Sequence, residues 1–482
     1  MLRATHAGAV DLLALHRLAP ADYPFLLQSV AGHTLSGRYD ILFAFPAAHL
    51  ICRGGQVTAS AGVPLRPADF FGSLSAWAAS AAQESAPDDA PSDDLPFIGG
   101  WFLLLGYEMA GQIEPRLRLP RSPFRLPDAL AVRCLAAAIH DRERQQTHLV
   151  AENDVTQLRR LENDLAKVSG VIPSEGEGSG GIKSRSRHAA HPRVARNDTP
   201  MSLVLGITEE PAEKFIAGVR RILDYLRAGD VFQVNLSRAW SGTLAPRVTA
   251  ADIYERLRLS NPAPFAGLAV WEGTTVLSSS PERLVSRQGM QVQTRPIAGT
   301  RPRGADPDAD RRLREQLIAS VKERAEHIML IDLERNDLGR VTEPGSVEVS
   351  ELMTVESYAH VHHIVSNVRG RLRPDKGPGE ILRAVFPCGT ITGCPKVRAM
   401  EIIAELEGVG RGPYTGAMGY LSRDGKLDTN ILIRSLVCEG GQVSLRAGAG
   451  IVADSKPEQE LAETRSKARG LLAALGVLGA NP

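Results

Sequence analysis

The sequence predicts a fold that mixes strands and helices, and three observations lead there. Residues 268–300, LAVWEGTTVLSSSPERLVSRQGMQVQTRPIAGT, read as a meander of short strands. Phe215, Ile216, Val219, Ile222, Leu223 and Leu226 recur at helical spacing, and Gly229 follows as a stop. The composition, 43% hydrophobic and 23% charged over 482 residues, is that of an ordinary soluble globular protein. This length suits two or three domains, or one large α/β body with an extension.

The remaining elements follow in chain order. RYDILFAF from Arg38 and ICRGGQVTA from Ile51 predict short strands among helices in the first 168 residues. PFIGGWFLLLGYE, residues 96–108, is apolar and glycine-bearing, which predicts a buried strand. Residues 83–94 are acidic with two prolines, and residues 169–200 are rich in Gly and Ser and then basic. Both read as loops, the second as a flexible linker between an N-terminal segment (1–168) and a C-terminal domain (201–482). VFQVNLSRAW predicts a strand after Gly229. Leu317, Ile318, Val321, Ala325, Ile328 and Met329 predict a second helical stripe meant for packing. A final helix is marked by Ser455 and Glu458 as a capping box, with Pro457 in its first turn.

Charge and cysteine content exclude several function classes. A net charge of +1 gives no electrostatic case for nucleic acid or an acidic membrane. No apolar run approaches the ~18 residues of a membrane span. The first 20 residues place Asp11 in their most apolar stretch, which makes a poor signal peptide. Five cysteines without a CxxC suit a reducing cytoplasm better than a disulfide framework or a zinc site.

Two carboxylate pairs carry the first chemical expectation. Glu323 and Glu326 are three residues apart, as are Glu460 and Glu463, so each pair shares one helix face. Solvated faces would explain both. Brought together, however, the four would repel unless a divalent cation neutralised them. Oxygen ligands without Cys or His favour Mg²⁺, completed by waters and an anionic substrate. On a helical wheel Glu323 and Glu326 lie opposite the 317–329 stripe, facing either solvent or a cleft.

Six motifs then occur in one order: PIAGTRPRG, ERAEHIMLIDLERNDLGRV, HVHHIVSNVRG, FPCGTITGCPKVRAMEIIAELE, GRGPYTGAMGYLS and GAGIVADSKPEQELAETRSKA. Together they resemble the chorismate-utilising enzymes, a family that includes anthranilate synthase component I, aminodeoxychorismate synthase component I and the isochorismate and salicylate synthases. The likeness spans roughly residues 211–475 and is weaker in the N-terminal third. It implies a large α+β body, two antiparallel sheets packed on one another with helices outside, the N-terminal segment joining the same body.

The resemblance also implies roles. Glu326 and Glu463 match positions that hold Mg²⁺, with Glu323 and Glu460 as the outer pair. Arg434 matches a clamp for the enolpyruvyl carboxylate, where a planar guanidinium gives a two-point grip. Tyr414, Gly448, Gly450 and Lys467 match other contacts to that group, and Gly299, Thr300 and Thr390 match contacts to the ring carboxylate or hydroxyl. Glu282 matches the acid that protonates the departing hydroxyl, and His363 a histidine beside it; His360 and His362 read as structural. Gln233 stands where water-adding relatives have a lysine base. Glutamine cannot deprotonate water, so this points to ammonia, supplied by a separate glutamine amidotransferase subunit. Cys388 and Cys394 read as packing.

For the product, the resemblance implies amination to aminodeoxychorismate, on the way to 4-aminobenzoate and folate. Glu334, Thr392, Asn430 and SGRYDILFAFP look like that group, and Gln28 and Phe265 depart from the tryptophan feedback element of anthranilate synthases. Ala298 departs in the opposite direction, because aminodeoxychorismate synthases often carry a covalent lysine there. Anthranilate synthesis is therefore the alternative, and a chorismate-binding protein without turnover a third.

Overall fold

The computed structural model describes residues 1–30, 37–83, 95–169, 202–304, 306–357 and 361–477. The acidic stretch after Gln83, the linker after Ser169, and His360 lie outside the described residues. Among those described there are 21 strands. The N-terminal ones are β1 (Leu2–Ala7), β2 (Phe25–Gln28), β3 (Tyr39–Arg53), β4 (Gln56–Ala59), β5 (Gly100–Leu105), β6 (Ala129–Asp141) and β7 (Gln146–Ala151). Next come β8 (Val204–Glu209), β9 (Gln233–Leu244), β10 (Phe265–Trp271), β11 (Thr274–Ser280), β12 (Arg283–Gln288), β13 (Gln291–Arg295) and β14 (Ile297–Pro302). The last are β15 (Glu348–Ser357), β16 (Val361–Arg371), β17 (Gly393–Cys394), β18 (Ala417–Ser422), β19 (Leu427–Ile431), β20 (Ser435–Glu439) and β21 (Gln442–Ile451).

Pairing is antiparallel throughout and links all of them into one network with two arms. The junction is β6, where Leu130 pairs with Ile51 of β3 on one side and Leu104 of β5 on the other. One arm runs β3, β2, β10, β11, β20, β21, β9, β8. The other runs β5, β18, β19, β12, β13, β16, β15, with β14 continuing β13 along β16. The expected pair of separate sheets is therefore one continuous sheet by hydrogen bonding, folded into two layers. The fold is possible because long strands bend: β3 carries Phe45 at φ 55° and a register shift between Pro46 and Ala48.

Three apolar clusters make the layers cohere. One lies between the arms and draws on both, with Phe25 of β2 stacked on Phe102 of β5 at 4.0 Å. The others sit outside each arm, under helices that include Pro457–Ala474 on one side and Val321–Gly339 on the other. The apolar run at residues 100–105 is buried at every position because strands flank it on both edges, β6 and β18. No described helix is long and apolar enough to cross a membrane.

Two local expectations need correction. The stripe read across residues 317–329 is not one face. Ser320 ends one helix, Pro307–Ala319, and caps the next, Val321–Gly339, by accepting from the Glu323 amide. The break resets the phase, so Val321 (80% exposed) and Ile328 (49%) point outward while His327, Leu330, Ile331, Glu334 and Leu338 are buried. Glu323 and Glu326 belong near that inward face. In the last helix Pro457 does stand in the first turn, but Ser455 accepts from the Val452 amide and the cap residue is Lys456.

Candidate active site

The site lies where β9 and β21 of one arm approach β14 and β16 of the other, with helices Val321–Gly339 and Pro457–Ala474 alongside. Gln233, at the start of β9, is buried and donates from Nε2 to Glu326 Oε1 at 3.1 Å, while its own Oε1 has no hydrogen-bond partner. On β21, Gly450, which pairs in register with Asn235, leaves the room the Gln233 amide occupies, since a Cβ there would run into Gln233 Nε2. Two residues along, a Cβ on Gly448 would lie 2.7 Å from Asn235 Oδ1, 2.8 Å from Leu236 O and 2.9 Å from the Tyr414 hydroxyl. The first and last of these are side chains able to yield, but the backbone oxygen cannot. Gly448→Ala is therefore expected to lower kcat/KM at least ~5-fold, the lower end of a 1–3 kcal/mol overpacking cost. Steady-state kinetics on the folded variant check this.

From the last helix, Lys467 donates to the Gly448 carbonyl at 3.0 Å and pairs with Glu463 at 2.7 Å. Glu460, one turn earlier, is buried. On the other arm, Gly299 adopts φ +69°, and its Cβ position lies 3.0 Å from Glu323 Oε2. Glu323 pairs with Arg301 at 3.1 Å. Glu323 thus lies beside β14 and Glu326 beside the start of β9, while Glu323 and Glu463 each hold a cation of the protein's own. Among the described residues no group of three or more His, Cys, Asp or Glu is arranged to hold a metal.

Across the cleft, His363 on β16 sits with Nδ1 3.0 Å from Thr300 Oγ1 and 3.4 Å from the Gly299 carbonyl. Burial and the nearby Arg434 charge push its pKa down to about 4, so the imidazole is neutral at pH 7. His362, its neighbour, is tied to Ser357 Oγ at 2.7 Å and Asp310 at 3.0 Å, a structural arrangement. Arg434 holds a left-handed backbone at φ 53°, secured by the Ser279 amide donating to its carbonyl at 3.0 Å. Its guanidinium makes no hydrogen bond or ion pair to the described residues. Burial lowers its pKa, and the Tyr414 and Glu463 charges oppose that. Burial holds the Tyr414 phenol up to about 12, hence protonated. A half-buried, unpaired guanidinium beside a protonated phenol is a site prepared for an anion.

Glu282 follows β11 in a turn fixed at both backbone groups, its amide donating to Ser280 Oγ at 3.2 Å and its carbonyl accepting from Ile431 at 3.0 Å. Its carboxyl is buried, with one oxygen lacking any partner. Burial, reinforced by the Glu334 charge, raises its pKa to about 8, while the Thr390 hydroxyl, the Ile297 amide and the Lys467 charge pull the opposite way. At neutral pH it is a protonated acid with an unsatisfied oxygen, the state a general acid needs.

Three features escaped the sequence reading. Cys388 is not packing alone: its thiol donates to Glu334 Oε1 at 3.1 Å and lies 3.1 Å from Thr390 Oγ1. Asn235 spans to the loop, its amide donating to the Thr392 carbonyl at 2.9 Å and its side chain to that of Thr390 at 3.3 Å. Behind them, buried Glu407 and Arg411 pair at 2.7 Å. Their separation of four in the sequence was the available signal, although such a pair usually marks a solvated helix surface.

Comparison with known proteins agrees. The chain matches the family model described as chorismate binding enzyme over residues 25–473, which includes most of the N-terminal third. It is 38% identical over 472 residues to an anthranilate synthase component I-like protein of Synechocystis, covering 98% of this chain and 87% of that one. It is 37% identical over 453 residues to aminodeoxychorismate synthase component 1 of Bacillus subtilis, covering 93% and 91%. The crystal structure of anthranilate synthase component I from Streptococcus pneumoniae superposes with a TM-score of 0.75 at 30% identity, covering 91% of this chain and 93% of that one. The chain belongs to the chorismate binding enzyme family, in the branch that joins anthranilate synthase component I with aminodeoxychorismate synthase component I.

Proposed function

We propose that the chain is component I of an aminodeoxychorismate synthase. It would convert chorismate and ammonia to 4-amino-4-deoxychorismate, the precursor of 4-aminobenzoate and folate. The ammonia would come from a separate glutamine amidotransferase subunit. The observation that carries amination is Gln233. Its amide cannot take a proton from water, but its bare, buried Oε1 suits an N–H donor. Neutral ammonia is nucleophilic already and needs no base.

The other residues fall into roles around that step. Arg434, with Tyr414, Gly448, Gly450 and Lys467, would grip the enolpyruvyl carboxylate. Gly299, Thr300 and Thr390 would meet the ring. Glu282 would protonate the leaving hydroxyl, and neutral His363 would orient it. Mg²⁺ suits the donor set, because this ion commonly takes one or two carboxylates and leaves the rest of its shell to water and substrate. Glu326 and Glu463 would hold it, with Glu323 and Glu460 acting through water. When bound, the ion would neutralise and orient the ring carboxylate. All five cysteines are unpaired, which suits a cytoplasmic enzyme.

Support for this product over anthranilate comes from the region of Gln28. Gln28 donates to Asp40 at 3.3 Å, and Asp40 also accepts from the Ser29 amide at 3.0 Å and pairs with Arg142 at 2.8 Å. The carboxylate that an amino-acid effector's ammonium would seek is thereby committed within the protein. The second reading, anthranilate synthase component I, is favoured by one residue: Ala298, buried in β14, offers no amine for covalent attack on the ring.

Incubation with chorismate, Mg²⁺ and ammonium distinguishes the readings. Aminodeoxychorismate gives 4-aminobenzoate only after a lyase is added, and that is the expected result. Direct anthranilate fluorescence would transfer the assignment to the second reading. Unchanged chorismate would leave a binding protein.

A further inference from the structure

The N-terminal segment reaches the proposed enolpyruvyl grip through two residues to which none of the roles above refers. After β5 the chain makes one tight turn, Tyr107–Met109. The Tyr107 amide donates to the Gly412 carbonyl at 2.8 Å, and the Gly412 amide donates to Glu108 Oε1 at 3.0 Å. Both backbone groups of Gly412 are thus held by one dipeptide from a distant part of the chain. Gly412 admits this approach because it has no side chain: its φ is +58°, and a Cβ would lie 2.7 Å from the Phe124 ring and 2.9 Å from Ser122 Oγ. The Tyr107 ring also lies against the Arg411 guanidinium, with 4.8 Å from its centroid to Cζ, and the Tyr414 ring approaches the same guanidinium to 5.6 Å.

Tyr414 stands between this clamp and a second anchor. Its amide donates to the Arg411 carbonyl at 3.2 Å. The next amide, that of Thr415, donates to the Leu432 carbonyl at 2.8 Å, and the Leu432 amide donates to the Gly416 carbonyl at 2.8 Å. Leu432 comes two residues before Arg434. The run 412–415 is therefore tied at its start to the N-terminal segment and at its end to the backbone that carries Arg434. A displacement of Gly412 is absorbed between these ties, at Pro413 and Tyr414. The proline ring fixes φ at Pro413, so Tyr414 takes most of it.

We infer that Tyr107 and Glu108 are positioning residues for Tyr414, through which the N-terminal segment sets the geometry of the grip on the substrate carboxylate. Glu108 supplies an acceptor and Tyr107 a packing face. Gly412 is buried, so without that acceptor its amide loses its partner and the loop shifts to find another. The inference rests on the reading that Tyr414 meets the enolpyruvyl carboxylate of chorismate.

Calorimetry with chorismate and Mg²⁺, in the absence of ammonium, reads the affinity without amination. Glu108→Ala is expected to weaken binding about tenfold, the order of cost of a buried amide left without its partner. Glu108→Gln keeps an oxygen for the Gly412 amide and should bind within about twofold of wild type. Tyr414→Phe completes a double-mutant cycle: because Glu108 acts through Tyr414, Glu108→Ala should cost little further in that background. Two effects that multiply in full, or a Glu108→Ala protein that binds as tightly as wild type, overturn the inference. If Glu108→Ala does not fold, Glu108→Asp takes its place in the cycle, its shorter carboxylate drawn back from the Gly412 amide, and the same two outcomes decide. Hydrogen exchange of the substrate-free protein keeps the functional reading separate. Faster exchange at the Tyr414 amide in Glu108→Ala, restored in Glu108→Gln, in a protein that binds no chorismate would support the clamp and sink the functional reading alone. Exchange that is the same in all three proteins overturns the inference, whatever the protein binds.

Discussion

Glu282→Gln is expected to reduce kcat by about 10²–10⁴-fold, the usual worth of a positioned general acid. The amide keeps the volume and the backbone contacts of the turn but has no ionisable proton to give. KM for chorismate should change little, because the carboxyl is assigned to the leaving group and not to either substrate carboxylate. The wild-type pH profile carries the same information. Burial raises the Glu282 pKa to about 8, so the acid is intact below that value and lost as pH rises through it. The alkaline limb of kcat should therefore fall near pH 8 in the wild type and vanish in the variant. His363 cannot take over, because with a pKa of about 4 it holds no extra proton at neutral pH. A Glu282→Gln enzyme that retained most of its kcat would remove Glu282 from the chemistry.

The largest expected loss of stability comes from Glu407→Ala. Glu407 accepts from Arg411 at 2.7 and 3.1 Å, Arg446 at 2.9 Å, and the amide and hydroxyl of Ser237 at 2.9 and 2.7 Å. Arg411 in turn donates to the carbonyls of Asn235 at 2.7 Å and Ile391 at 3.1 Å, and to Thr415 Oγ1 at 3.2 Å. Removing the carboxylate leaves a guanidinium buried and uncompensated, which costs about 3–5 kcal/mol. That exceeds the ~1 kcal/mol of an ordinary substitution. The urea midpoint should fall accordingly. The double variant Glu407→Leu/Arg411→Met should recover much of it, because a well-packed apolar pair avoids burying a charge. Asn235, the Thr390 turn and the Tyr414 loop all depend on these two residues, so activity should fall together with stability. A Glu407→Ala protein within ~1 kcal/mol of wild type would mean the pair is no stronger than an exposed one.

Local spacing made some of this legible in the sequence. The 215–226 stripe and Gly229 mark a helix that runs Ala212–Ala228, with Gly229 at φ 79°, because an amphipathic repeat and a left-handed stop are both local properties. The meander from Leu268 became β10 to β14 for the same reason. RYDILFAF and the start of ICRGGQVTA, read as separate strands, are one bent strand, since a bulge leaves no clear trace in composition. The inward face of Val321–Gly339 was misread because the break at Ser320 resets the phase of the apolar stripe, and a capping serine leaves no interruption in hydrophobic spacing.

The residues of the sequence by themselves determined which chemical groups the protein possesses and the order in which they occur: the paired glutamates, the glycines of β21, the arginine after β19, a glutamine where a base would stand. Only the tertiary structure decided which of them meet, and in what state of charge. Glu282, Glu334 and Cys388 lie in separate motifs, and nothing in those motifs shows that the carboxyls are dry or that the thiol bridges one of them toward Thr390. Desolvation acts on a group through whatever surrounds it in space, and those surroundings come from strands and helices distant in the chain. That is why a candidate acid was readable from a motif, whereas its proton was not.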